Sequence, residues 1–150
     1  MVAIGRGTMA TTITSISRGE VYLVRFDPVE GSEVGKTRPA LVLQNDIANR
    51  TSPVTIVAAI SSQFNPSHLY PTEVLIKAGE AGLTIDSVVL LNQIRTIDKT
   101  RLLSLLGKME PQTIFQVERA IKVSLALLRW APTLYTQMGN FKMISTYDIL

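Results

Sequence analysis

The sequence predicts a small α+β domain, a barrel or half-open sheet of roughly five short strands followed by one helix. Two observations carry that expectation. Short β-branched and apolar runs recur between stretches rich in Gly, Pro and polar residues. Only toward the C-terminal end does the apolar spacing change to that of a helix. At 150 residues the chain suffices for one domain with a real core.

The organised part opens at Glu20, where EVYLVRF (Glu20 to Phe26) is β-branched and aromatic. DPVEGSEVGKT (Asp27 to Thr37) is a long loop that its glycines should let move. A buried strand is expected from Ala40 to Gln44, with Pro39 before it. Proline cannot donate a ladder bond and biases its predecessor toward extended backbone. Arg38 is therefore expected where a loop becomes a rigid strand. After the polar stretch NDIANRTSP come a strand from Val54 to Ser61, another from Thr72 to Ile76, and a turn, KAGEAGLTID, with two glycines. SVVLLNQIRTI (Ser87 to Ile97) reads as a long strand bent at Asn92-Gln93, and LLSLLGKM is ambiguous between helix and strand.

A helix is expected from Pro111, since proline suits a first turn. Ile114, Val117, Ile121, Leu125 and Leu128 recur at helical spacing, and the helix should run to about Trp130, before Pro132. Residues 1–17, rich in Thr, Ser and Gly, read as a loose leader, 18–130 as the domain, and 131–150 as an extension whose role the pattern leaves open.

Composition narrows the chemistry. Hydrophobic residues make up 46% and charged residues 18%, as in a folded globular protein. The absence of cysteine rules out disulfides, thiolate catalysis and Cys-based metal sites, and fits a cytoplasmic setting. A net charge of +3 is compatible with a nucleic-acid ligand without demanding one. No apolar run has the length of a membrane span, and no secretory signal is evident. HExxH, GxSxG and P-loop patterns are absent. His68 is the only histidine, so one chain cannot build a two-histidine nuclease site. It reads as an exposed loop residue. Asp27, Glu30 and Glu33 share one loop but read as a solvated acidic loop rather than a metal site. No metal and no cofactor are expected.

What remains is a set of arginines, hydroxyls and amides near strand ends: Arg38, Gln44, Asn45, Asn49, Arg50, Ser61, Ser62, Gln63, Gln93 and Arg95. Arginine binds phosphate through charge-assisted, often bidentate contacts, and amides can read the edges of unstacked bases. The same residues could equally cap turns and meet surface carboxylates. Residue types alone lead to a soluble domain able to bind an anion.

Read as a whole, RGEVYLVRFDPVEGSEVGKTRPALVLQNDIANRTSPVTIVAAISSQ (Arg18 to Gln63) resembles the start of the MazF/PemK toxins. PTEVLI and DSVVLLNQIRTIDKTRL resemble the later segments of that family. The similarity covers about 18–128; the combination of GSE, KTRP, QNDIANR-SP and QIRTID is specific, whereas each alone is weak. The resemblance implies an SH3-like or CcdB-like small antiparallel barrel with a C-terminal helix, a homodimer, and a metal-independent endoribonuclease cutting single-stranded RNA at short sequences. It also implies a MazE-like antitoxin whose tail occupies the RNA groove.

The family's catalytic arginine before the proline matches Arg38. Its hydroxyl after the third strand falls on Ser61, where relatives usually carry threonine; the hydroxyl is kept and a methyl is lost. Glu33, in the GSE element, matches a position linked to activity and is the candidate base. Gln44, Asn45, Asn49, Arg50, Gln93 and Arg95 carry over as RNA-binding positions. Cleavage would use the RNA's own 2′-OH and leave 2′,3′-cyclic phosphate and 5′-OH ends. Two other readings stay open: a non-catalytic CcdB-like inhibitor of DNA gyrase, and an inactive module that binds RNA or antitoxin.

Overall fold

The computed structural model describes Ile13 and residues 15–127. Six strands form one sheet: β1 (Glu20–Arg25), β2 (Thr37–Val42), β3 (Val54–Ser61), β4 (Glu73–Ile76), β5 (Ser87–Asp98) and β6 (Leu102–Lys108). Their spatial order is β4-β5-β3-β2-β1-β6, and every pair is antiparallel. A short helix, α1 (Asp46–Thr51), follows β2, and α2 (Pro111–Ser124) follows β6. The ambiguous LLSLLGKM stretch becomes β6 because it pairs along β1.

Alternation puts two apolar cores on the two faces of the sheet. Val21, Leu41, Ala58, Ile60, Val89 and Leu91 face α2, whose Val117 and Ala120 join them. Tyr22, Val24, Phe26, Ala40, Val42, Val57 and Ala59 form the opposite cluster. β2 and β3 therefore bury both faces, which is why their sequences read as unbroken apolar runs. Ile16 is buried in that second cluster, and Ile13 packs against it. Packing thus begins upstream of the expected boundary at Arg18; the remainder of the leader, and 131–150, lie outside the described residues.

Two expectations about element ends change. The first concerns α2, which stops at Ser124 rather than near Trp130. Ala126 turns left-handed (φ 56), and the N–H groups of Ala126 and Leu127 donate to the carbonyls of Val123 and Lys122, a Schellman closure. Leu125, expected to continue the helical spacing, caps the helix at this turn and is 55% exposed. Leu128 lies outside the described residues.

The second concerns β2, which starts at Thr37 and ends at Val42, so Arg38 and Pro39 lie inside the strand, opposite Val24 and Leu23 of β1. Hydrogen-bond parity explains why proline is tolerated there. Leu43 N–H donates to the Ile56 carbonyl at 2.8 Å, so the amides of alternate residues, 41 and then 39, are those aimed at β3. Position 39 has no N–H to give. The β2–β3 ladder accordingly ends at Ala40↔Ala59, while β3 continues to pair with β5 through Ser61. Pro39 unzips the two central strands at one end.

Between β4 and β5 a 3-10 turn (Glu80–Gly82) reaches across to β6 and bridges the two ends of the sheet. Its fit depends on two glycines. A Cβ on Gly82 would lie 2.2 Å from the Leu106 carbonyl oxygen, and one on Gly107 would lie 2.6 Å from the Ala81 carbonyl carbon. The expected bend in the long strand is present. From Ala58↔Ile94 to Ile60↔Val89, β5 spends five residues where β3 spends two.

Three exposed carboxylates are held below their usual pKa. Asp46 accepts from the Arg18 N–H and from Asn49, Asp98 from the Thr100 hydroxyl and N–H, and Asp86 from the Ala78 N–H and Lys77. A depressed folded-state pKa contributes stability that is present above the unfolded value, about 4, and lost as pH falls through the folded value. Melting temperature should therefore drop on acidification below about pH 4. The drop should be shallower in an Asp46→Asn/Asp86→Asn/Asp98→Asn variant; parallel curves for the two proteins would refute this assignment.

Candidate active site

The opening that Pro39 creates is lined on one side by Lys36, Arg38 and Pro39, and on the other by Ile60, Ser61, Ser62 and Gln63. Gly82, Leu83, Thr84, Ile85, Ser87 and Leu106 complete a cleft of about 450 Å³. Among the described residues, its charged groups are two cations and no carboxylate lines it. Four hydroxyls and the Gln63 amide supply the remaining polar groups. Such a lining suits an anion with several oxygen acceptors.

Arg38 is half-buried, and its Nε donates to the Gly35 carbonyl at 2.8 Å. The ion pairs among the described residues are Arg18–Glu118 and Lys77–Asp86, so no carboxylate competes for the Nη donors of Arg38. Across the cleft, Ser61 Oγ accepts from the Gln63 N–H at 3.1 Å and lies 3.3 Å from the Gln63 carbonyl. That hydroxyl ends β3 in a local turn with its proton only weakly engaged.

Glu33 is not in this cleft. It lines a second one of about 510 Å³ with Phe26, Ser32, Val34, Ala59, Asn92, Gln93, Ile94 and Arg95. The segment from Ser32 to Lys36 runs from one cleft to the other. In the second cleft Gln93 Oε1 accepts from the Val34 N–H at 2.7 Å, and the Arg95 guanidinium lies 5.7 Å from the centre of the Phe26 ring. Glu33 Oε2 accepts from the Glu30 N–H at 3.3 Å. The structure thus brings Arg38 and Ser61 together, and Glu33, Gln93 and Arg95 together nearby.

Four of the amide and arginine positions go elsewhere. Gln44 and Asn49 are only 8% and 2% exposed. Their amides bond each other at 3.1 Å, and they also engage the Val54 carbonyl, the Gln44 carbonyl and the Thr55 hydroxyl. These two hold α1 against β3, with their amides turned into the fold. Asn45 caps α1 through the Ala48 N–H at 2.9 Å. Arg50 is exposed at the far end of α1, beside a small hollow that includes Lys99. His68 is exposed in the loop after β3, edge-on to Tyr70.

Sequence reasoning missed Lys36, Thr84 and Ser87 as lining residues. Lys36 lies two residues before Arg38 and was legible as a second cation; the other two reach the cleft only through the fold.

The sequence profile of the PemK-like, MazF-like toxins of type II toxin–antitoxin systems matches residues 17–125. The chain belongs to this toxin family. Among MazF/PemK relatives, the endoribonuclease EndoA of Bacillus subtilis is 49% identical over 113 residues, covering 75% of this chain and 97% of the relative. The endoribonuclease MazF of Staphylococcus saprophyticus is 46% identical over 110 residues, covering 73% and 91%. Among solved structures, MazF from Deinococcus radiodurans superposes with a TM-score of 0.65 at 25% identity over 75% of this chain and 97% of its own. A mycobacterial endoribonuclease in complex with its cognate antitoxin gives 0.64 at 23% identity over 78% and 100%. The six-stranded antiparallel sheet with its C-terminal helix is thus the family fold. No helix among the described residues is long and apolar enough to cross a membrane.

Proposed function

We propose that this MazF/PemK-family chain is a metal-independent, sequence-specific endoribonuclease toxin acting on single-stranded RNA. It works as a homodimer in the cytoplasm and is held in check by a MazE-like antitoxin. The observation that carries the reading is the cleft where Lys36 and Arg38 face Ser61 with no lining carboxylate. That arrangement suits a phosphodiester rather than a hydrated cation.

In the reaction the RNA 2′-oxygen attacks the adjacent phosphorus, its proton passes to a base, the P–O5′ bond breaks, and the departing 5′-oxygen takes up a proton from solvent. The products are a 2′,3′-cyclic phosphate and a protonated 5′-OH. Arg38, oriented through Nε, offers its Nη donors to the phosphorane, and Ser61 Oγ turns its proton from Gln63 to a phosphoryl oxygen. Preorganised donors of this kind often make the largest single contribution to rate. Guanidinium stays protonated, so Arg38 is not the base. We assign that role to Glu33, whose segment leads from the second cleft to the first. Closure of the loop tip would bring it to the 2′-OH. Gln93 and Arg95, beside it, are the RNA-contacting positions retained from the sequence. The exposed Leu103 and Leu105 on the edge strand β6 offer a second copy an apolar surface.

The test is incubation with a long single-stranded RNA in EDTA, with new ends labelled directly by a kinase. Cleavage at a repeated short sequence with labelable 5′-OH ends is expected. Ser61→Thr should stay active, whereas Ser61→Ala should lose about 10²-fold in kcat. Intact RNA from a folded protein, with EDTA or with added divalent metal, would refute the enzymatic reading; cleavage only with metal would refute its metal independence.

A further inference from the structure

We infer that Asp27 is a positioning residue that fixes the Arg38 guanidinium through the backbone of Gly35 and Lys36. The inference rests on the reading of Arg38 as the phosphate-binding arginine. Asp27 lines neither cleft and takes no part in the ion pairs among the described residues. Its carboxylate instead accepts from the Lys36 N–H at 2.8 Å, and the preceding residue, Phe26, donates its own N–H to the Lys36 carbonyl at 2.9 Å. These two bonds hold Lys36 in a left-handed conformation, φ 64, that a lysine rarely adopts unaided.

The next link back is Gly35. A Cβ there would lie 2.8 Å from an Asp27 carboxylate oxygen and 2.9 Å from Val29 Cγ2, so the chain passes the carboxylate closely and a side chain there would displace it. The Gly35 carbonyl, aimed by this crossing, accepts from Arg38 Nε at 2.8 Å. On the other side, Arg101 Nη1 donates to the carbonyls of Arg25, Phe26 and Asp27 at 3.2, 3.1 and 2.8 Å. The base of the loop is therefore fastened at both ends, and its joint sets the direction of one guanidinium. Tying Nε limits rotation about the long side chain and leaves the Nη edge for the phosphate.

The test compares Asp27→Ala, Asp27→Asn and Arg38→Ala in three measurements: single-turnover RNA cleavage, affinity for an uncleavable 2′-deoxy analogue, and hydrogen exchange of the Arg38 Nε–H by 15N NMR. Asp27→Ala should lower the cleavage rate about 10- to 100-fold with affinity within about twofold of wild type, and should speed Nε–H exchange. Asp27→Asn keeps an acceptor oxygen and should keep both the rate and the protection. If Asp27→Ala unfolds the loop outright, Gly35→Ala presses on the same joint from the other side and should reproduce the rate loss. Wild-type cleavage and Nε–H protection in Asp27→Ala would overturn the inference, as would equal losses in the Ala and Asn variants. Should Arg38→Ala itself cleave normally, the active-site reading fails, and the exchange measurement still decides whether Asp27 fixes Arg38.

Discussion

Arg38→Ala should lose about 10²- to 10³-fold in kcat on a single-stranded RNA while melting within a few degrees of the wild-type protein. The rate loss follows from chemistry that the cleft supplies nowhere else. Lys36 is the other lining cation, but its ammonium is a single charge on an exposed stem, whereas guanidinium presents a planar fork matched to two phosphoryl oxygens. For the same reason Arg38→Lys should recover little activity. The modest thermal effect follows from the side chain's few commitments: it is half-buried, and its one internal hydrogen bond goes to the Gly35 carbonyl. Single-turnover rates beside thermal melts separate the two effects. A variant within about threefold of wild type would remove Arg38 from the transition state, since one lost oxyanion donor costs far more than that.

Gly82→Ala should be among the most damaging single methyls at the described glycines. Two penalties coincide there. The residue sits at φ +75, and the added Cβ would meet the Leu106 carbonyl oxygen at 2.2 Å and its carbon at 2.7 Å. The left-handed backbone alone costs about 1–2 kcal/mol. The backbone collision cannot be relieved by a rotamer change, so the total should reach about 3 kcal/mol or more, roughly 10 °C or more in melting temperature. Gly107→Ala, facing Ala81 and Gly82 at 2.6–2.9 Å, should behave alike. Gly79→Ala is the control. It has φ +97 but nothing within 4 Å of the new atom, so it should cost only the backbone penalty of about 1–2 kcal/mol. Equal losses at Gly79 and Gly82 in thermal melts would mean that the bridge to β6 does not depend on close backbone approach.

Most of the sheet was legible in the chain because its central strands bury both faces. Val54–Ser61 was placed to the residue, and the bend at Asn92-Gln93 appears as the register break in β5. Short elements with polar faces were less legible: α1, six residues capped by Asn45, read only as a polar stretch. The α2 end was misjudged because Leu125 and Leu128 continue the helical spacing past Ser124, where a left-handed alanine turns the chain.

Arg38 and Ser61, which the resemblance pairs, line one cleft, and the fold supplies a reason for that placement. One strand carries Pro39 and its neighbour ends at Ser61, so the two part at that level. Gln44 and Asn49 show the limit of reading residue types. An amide at a strand end looks the same in sequence whether it faces a ligand or closes an internal network; burial decides, and burial belongs to the fold.

Pro39 has one more consequence, for peptides that would block the cleft. A common way for an extended peptide to seat itself is to add as a strand, zipping its backbone along a row of free N–H and C=O groups. The parted ends of β2 and β3 look like such a slot, but the row on the β2 side is broken at residue 39, where no N–H exists. A ligand there must be held by side chains: anionic groups on Lys36 and Arg38, apolar ones on Ile60, Leu83, Ile85 and Leu106. An inhibitor built to mimic a β-strand would find the donor at residue 39 missing from that row, whereas a short acidic segment with flanking aliphatic residues would match what the slot presents.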